Sequence, residues 1–210
     1  MKAAIVVDAG VGPRLGEFPD PSPSSGENRI KVLASSVSHV VKGHVTGRHY
    51  SAAGRFPFVA GMDGVGMLDD GSRVYFALPR APYGSFAEYT VAARELCVPL
   101  PDGLDDLTAA AIANPGVSSW MALSERARFR PGETVLINGA TGTSGRLAVQ
   151  IARHLGAAKI IATGRNSSAL NTVQALGADI TITLDPDLDE LEKRLMQEFE
   201  QGVDVVLDFL

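Results

Sequence analysis

Residues 133–166 read ETVLINGATGTSGRLAVQIARHLGAAKIIATGRN. Thr134–Asn138 (TVLIN) is a short apolar run with β-branched residues, of the length of a buried strand. Gly139–Gly145 (GATGTSG) is a glycine-rich turn. From Arg146 to Leu155 apolar residues return at Leu147, Ala148, Ile151, Ala152 and Leu155, the stripe of a helix lying on a sheet. Lys159–Thr163 (KIIAT) is a second buried strand. Strand, glycine turn, helix and strand together predict one βαβ unit, whose crossover is right-handed.

The turn has a specific physical meaning. Set against G-x-G-x-x-G, the aligned residues are Ala140, Gly142 and Gly145, with alanine in place of the first glycine. Gly142 lets the backbone approach a pyrophosphate, and Gly145 lets the helix sit close to the strand. With Thr141, Thr143 and Ser144 they form a turn whose free N–H groups face the phosphates at the positive end of the helix. The strand before and the helix after are the context that a dinucleotide site requires, the alternative being an ordinary glycine-rich turn. A site for NAD usually ends the next strand in an acid that binds the ribose 2′-hydroxyl. Here the strand runs into Gly164-Arg165-Asn166, with no carboxylate. A guanidinium can hold a 2′-phosphate bidentately, so Arg165 predicts NADP(H). A solvated arginine at a strand end is the competing reading.

Composition bounds the rest. The chain has 210 residues, 45% of them hydrophobic and 20% charged, which fits one large or two small globular domains. A net charge of −5 without a basic block argues against nucleic-acid binding. One cysteine, Cys97, excludes an internal disulfide and a zinc site built on several thiolates. There is no apolar run of membrane-spanning length and no signal-peptide pattern, so the expected compartment is the cytoplasm.

Residues 1–100 read as β-rich, as in a small barrel or sandwich. Lys2–Val7, Asn28–Val37, Arg73–Ala77, Gly84–Val91 and Glu95–Leu100 are expected strands, and Pro19–Glu27 is a loop. Phe56–Leu68 carries Gly61, Gly64 and Gly66 in a β-prone run, which predicts bulges or tight corners. From Thr108 the period becomes helical. Thr108 is the expected N-cap of a short helix, Ala109–Ala113, broken by Asn114-Pro115-Gly116 before a second helix, Val117–Arg128. After Asn166, a helix carrying Ala169, Leu170, Val173 and Leu176 ends at Gly177. A strand at Ile180–Leu184, a helix carrying Leu188, Leu191, Leu195 and Phe199, and a fourth strand from Val203 follow. The chain stops within that strand, which predicts a doubly wound sheet lacking its second half.

This order resembles the medium-chain dehydrogenase/reductase superfamily, and most of all its zinc-independent quinone-oxidoreductase branch. The matching stretches are FPFVAGMDGVG, GSFAEYTVA, ANPGVSSWMAL, NGATGTSGRLAVQIARHLGA and LGADITI. The resemblance implies an α/β fold: a GroES-like β-barrel catalytic domain over residues 1–110, then a partial Rossmann NADP-binding domain, doubly wound and parallel, over residues 111–210. It also implies a cleft between them, a homodimer in the full-length form, and a small-molecule substrate with no nucleic acid or membrane as partner. Asn114 and Ser118 match positions lining the nicotinamide side of that cleft. Helix capping is their alternative role.

The resemblance also bears on metal. Where zinc-dependent relatives have a cysteine this chain has Ser38, and their Gly-His-Glu appears as Gly61-Met62-Asp63. Catalytic zinc needs three good ligands and an open position, so no metal is expected. Relatives often place an asparagine near the Ser38 position, which is missing here, and a tyrosine shortly after the following glycine, here Tyr50. Ser38 and Tyr50 are therefore candidate hydrogen-bond donors to a developing oxyanion, and His39 or His49 a candidate proton relay. Ser38 ending a strand, Tyr50 packing on a loop and solvated histidines are the structural alternatives. Trp120 is expected in the core, Cys97 as an inert buried thiol, and His154 exposed. Two functions remain open: an NADPH-dependent reductase of quinones or α,β-unsaturated carbonyls, or a catalytically silent NADPH-binding module.

Overall fold

A computed structural model describes residues 1–50, 55–184, 187–200 and 202–210. The chain divides into two compact units, Met1–Ala113 and Asn114–Leu210.

In the first unit, β1 (Lys2–Val6) buries Ala3 and Val6 and keeps Lys2 in solvent. It pairs antiparallel with β2 (Arg14–Glu17) and β4 (Phe58–Val59). β2 lies where the sequence carries no strand signal. Its residues are largely exposed, and only the ladder to β1 makes it a strand. A second, antiparallel sheet runs in the order β7 (Tyr89–Ala93), β3 (Glu27–Ala34), β5 (Asp63–Met67), β6 (Arg73–Ala77), β8 (Cys97–Pro99). The expected strand Gly84–Val91 thus begins at Tyr89 and continues to Ala93. Residues before it join the sheets instead, through a bridge between Ala3 and Ala87 and a bond from Ala4 N–H to Phe86 O at 2.8 Å.

The glycines of β5 answer to close packing rather than to corners. A Cβ at Gly66 would stand 2.7 Å from the Lys31 carbonyl oxygen, so only glycine lets β5 approach β3. The one register shift in this pair lies on the β3 side, between Val32 and Ala34.

Two helical stretches differ from the sequence reading. α1 (His39–Val45) buries Val41 and Val45, four residues apart, in a seven-residue helix too short to show a periodic signal. The expected helices Ala109–Ala113 and Val117–Arg128 form a single α2 (Asp106–Met121), which passes through Pro115 and runs into a π turn, Ala122–Arg126. Pro115 costs about 3 kcal/mol in a helix interior. Burial of Ala109 and Ala110 on one side and of Leu123 after the helix offsets that cost. The start also moves: Asp105 accepts a bond from Thr108 N–H at 2.9 Å, so the cap lies three residues earlier than Thr108.

The second unit is a parallel four-stranded sheet in the order β11 (Ile180–Thr183), β10 (Lys159–Gly164), β9 (Thr134–Asn138), β12 (Val205–Asp208). α3 (Thr143–His154), α4 (Ser167–Ala175) and α5 (Leu188–Glu198) connect the strands. Val135, Ile137, Ala148, Val149, Ile160 and Val173 form the centre of its core, and each is fully buried. The chain winds outward from β9 to β10 and β11, then crosses back so that β12 lies on the other side of β9. That reversal is a topological switch point, where open α/β sheets bind ligands at the carboxyl ends of their strands.

Candidate functional site

The glycine turn sits at the carboxyl end of β9, at the switch point. Gly139 leaves the strand with φ of +75°, a conformation that favours glycine. Ala140 N–H then donates to Thr163 O at 2.9 Å, tying the turn to β10. A Cβ at Gly145 would lie 2.6 Å from Ala140 Cα, so glycine there allows α3 to start against the turn. Gly142 differs: a Cβ would meet nothing nearer than the Gly139 carbonyl oxygen, at 3.7 Å. Its outer side is open.

Gly142 is also the N-cap of α3, and it has no side chain with which to cap. The other helix starts are served by side chains: Ser38 accepts from Val41 N–H, Asn166 from Ala169 N–H, and Asp187 from Asp189 and Glu190 N–H. The first amides of α3, on Thr143, Ser144 and Gly145, have no intrahelical acceptor. They lie at the positive end of the helix dipole beside the open side of Gly142, the setting that an anion site requires.

The second strand completes the geometry. A Cβ at Gly164 would lie 2.7 Å from the Thr141 side chain, so Gly164 and Thr141 pack directly on each other. Arg165, the next residue, is exposed and takes part in no ion pair among the described residues. Asn166 is already engaged as the cap of α4, at 3.0 Å from Ala169 N. The turn residues Ala140 to Gly145, Gly164 and Arg165 thus lie together at the carboxyl ends of the two inner strands, β9 and β10. The open amides, the space over Gly142 and the free guanidinium fit a dinucleotide carrying a 2′-phosphate.

Supporting residues carry no motif in the sequence. Asn138 Oδ1 accepts from Thr163 Oγ1 at 2.5 Å, and its Nδ2 donates to Asp208 Oδ1 at 3.1 Å, joining the ends of β9, β10 and β12. Buried Ser119 donates to Ser144 O at 3.3 Å, fastening α2 to the start of α3. The neighbouring Ser118 is exposed and donates to Pro115 O at 2.8 Å, while Asn114 is half-buried. Trp120 is not in the core: it is 42% exposed and lies against the His154 ring, centroids 6.0 Å apart.

The first unit holds a cavity of about 670 Å³. Phe56, Phe58, Met62, Leu78 and Tyr83 are among its walls, together with His44 and Arg55. Ser38, His39 and Tyr50 do not line it. Ser38 Oγ accepts from Val41 N–H at 3.3 Å, His39 is exposed at the first position of α1, and Tyr50 is almost wholly exposed. A stack connects one of them to the cavity, however. The Tyr50 ring lies 4.3 Å from that of His49, and His49 lies 4.7 Å from His44. Burial, with a smaller contribution from the charge of His49, holds His44 below the usual histidine range. His44 therefore lines the cavity with an imidazole biased toward its neutral form.

Met62 and Asp63, which the resemblance sets against zinc-ligand positions, make the following contacts. Met62 packs against the cluster of Val6, Val41, Val45 and Ala60. Asp63, 1% exposed, accepts a bond from Tyr75 Oη at 2.8 Å, and its pKa is pushed up by burial. The described residues contain no group of three or more His, Cys, Asp or Glu placed to hold a metal ion. Cys97 is half-buried, and burial pushes its thiol above the usual range.

A family model described as zinc-binding dehydrogenase matches residues 145–210. A probable NADPH-dependent quinone reductase, tdiC of Emericella nidulans, is 34% identical over 200 residues, covering 80% of this chain and 56% of its own. The quinone oxidoreductase of Rattus norvegicus is 30% identical over 200 residues, covering 90% of this chain and 59% of its own. The crystal structure of the quinone oxidoreductase from Thermus thermophilus, also determined in complex with NADPH, matches with a TM-score of 0.87 at 30% identity, over 100% of this chain and 66% of that one. The chain belongs to the medium-chain dehydrogenase/reductase superfamily. Its place is in the quinone-oxidoreductase-like branch. The chain spans between 56% and 66% of the length of these three relatives. No helix among the described residues is long and apolar enough to cross a membrane.

Proposed function

We propose that the chain belongs to an NADPH-dependent reductase that passes hydride to a quinone or an α,β-unsaturated carbonyl without zinc. One observation carries the cofactor half of this reading. The uncapped start of α3 opens beneath Gly142, beside exposed Arg165, at the switch point of a parallel sheet. The α3 amides would hold the pyrophosphate and Arg165 the 2′-phosphate, and the bound nicotinamide would supply the hydride.

The cavity of the first unit would take the acceptor. Aromatic and aliphatic walls exclude water and orient a flat ring, and neutral His44 donates a hydrogen bond to the oxygen on which charge develops. His49 and Tyr50, stacked behind it, hold its ring in place. Zinc independence is supported by the thioether of Met62 in an apolar cluster and by the capping bond made to Ser38, neither of which resembles a catalytic zinc ligand set. Pairing of two copies is part of the same proposal, and light scattering reads it out.

The test is to mix the chain with NADPH and a panel of quinones, enones and enals and to follow oxidation of the nicotinamide. Turnover of at least one class is expected. The second reading, a silent NADPH-binding module, has one observation in its favour: Ser38, His39 and Tyr50 all lie outside the cavity lining. NADPH binding without turnover of any acceptor would select it.

A further inference from the structure

We propose that the cavity of the first unit selects acceptors with a negative charge beside a flat apolar body, and that Arg55 recognises that charge. The proposal deepens the reductase reading and rests on it for the word acceptor. A volume of about 670 Å³ lies in the range of pockets for small molecules, roughly 300–1,000 Å³. Phe56 and Phe58 tilt toward each other with ring centroids 5.6 Å apart, giving an aromatic wall on which a flat ring can lie.

Charge is distributed unevenly around this space. The whole chain has 24 acidic residues against 19 lysines and arginines, yet no aspartate or glutamate among the described residues lines the cavity. Arg55 does, directly before Phe56, and it takes part in no ion pair among the described residues. Residues 51–54, SAAG, bring no carboxylate next to it in the chain. A guanidinium unmatched by any described protein anion and set at an apolar wall suits a carboxylate or sulfonate, which it can bind through two parallel N–H bonds. Burial biases His44 toward its neutral form, so it adds little positive charge beside Arg55. A neutral quinone would fill the same walls and leave Arg55 without a partner.

The test uses two probes that are not reduced, naphthoate and its methyl ester, titrated into the intact chain by calorimetry. Naphthoate should bind about two- to fivefold more tightly than the ester at low salt, the gain of one exposed charge pair. Raised ionic strength should shrink that preference, since the pair is open to screening. Arg55→Gln should remove the preference, and Arg55→Lys, which keeps the charge but not the fork, should retain part of it. Equal binding of the two probes, or a preference that Arg55→Gln leaves intact, would overturn the proposal. Neither probe accepts hydride, so a failed quinone assay counts against the reductase reading alone.

Discussion

Gly145 and Ala140 are in such close contact that a Cβ on Gly145 would lie 2.6 Å from the Cα of Ala140 and 2.5 Å from the Gly139 carbonyl oxygen. The start of α3 and the end of β9 are therefore in contact through bare backbone. This approach sets where the open α3 amides point. Gly145→Ala should move the helix start, cost about 1–3 kcal/mol of stability as an overpacked site, and weaken NADPH binding. Urea unfolding together with NADPH titration checks it. An unchanged midpoint and affinity would show that the contact has slack.

Arg165 stands at the end of β10 where an acid would select NADH. Arg165→Asp should remove charge-assisted bonds of about 1.5–3 kcal/mol, a loss of about 10- to 100-fold in NADPH affinity, and turn the preference toward NADH. Fluorescence titration with both nucleotides reads the ratio. Equal NADPH affinity in wild type and variant would refute the 2′-phosphate assignment.

His44 is the cavity's imidazole, and its lowered pKa leaves it neutral through neutral pH. His44→Phe keeps the stack on His49 while removing the donor. It should lower kcat for a quinone by about 100-fold, as loss of one oxyanion donor does, with a smaller change in KM. In the wild type, kcat/KM should not fall between pH 7 and 8 through titration of this group. A variant with full kcat would return the role to Ser38 or Tyr50.

Asp63 is buried, with Tyr75 on Oδ2 and no partner on Oδ1. Its pKa is raised in the folded state, so the folded chain holds that proton more tightly than the unfolded chain does. The resulting stabilisation is complete below the ordinary carboxylate pKa of about 3.9, and it is lost as pH rises through the raised value. Asp63→Asn can still accept from Tyr75. Relative to wild type it should gain stability as pH rises from 4 to 7. Thermal unfolding across that range measures the difference, and a gap independent of pH would contradict it. Tyr75→Phe, which leaves both oxygens of Asp63 unpartnered, should cost about 1–3 kcal/mol.

The second unit was largely legible in the sequence because its signals are local. Buried parallel strands appear as runs such as TVLIN and KIIAT, and the helix between them shows its stripe in a single stretch of chain. Gly177, which ends α4 with φ of +120°, is legible for the same reason: a helix stop depends on one residue's backbone freedom. The first unit was less so. β2 owes its existence to a ladder with β1, and α1 shows two buried valines in seven residues. Pro115 marks a break by propensity, yet burial on both sides of it keeps α2 continuous.

The βαβ unit, the placement of Gly142 and Gly145 in its turn, and Arg165 at the diagnostic strand end all follow from the order of residues alone. Spacing and backbone freedom within about thirty residues settle those features. The role of Ser119 and Asn138 in fastening the turn emerges only from the folded chain. So does the lining of the cavity by His44 and Arg55, rather than by Ser38, His39 and Tyr50. A cavity wall is assembled from segments distant in the chain, and which side chains face it follows from strand pairing and helix rotation, which no local pattern encodes.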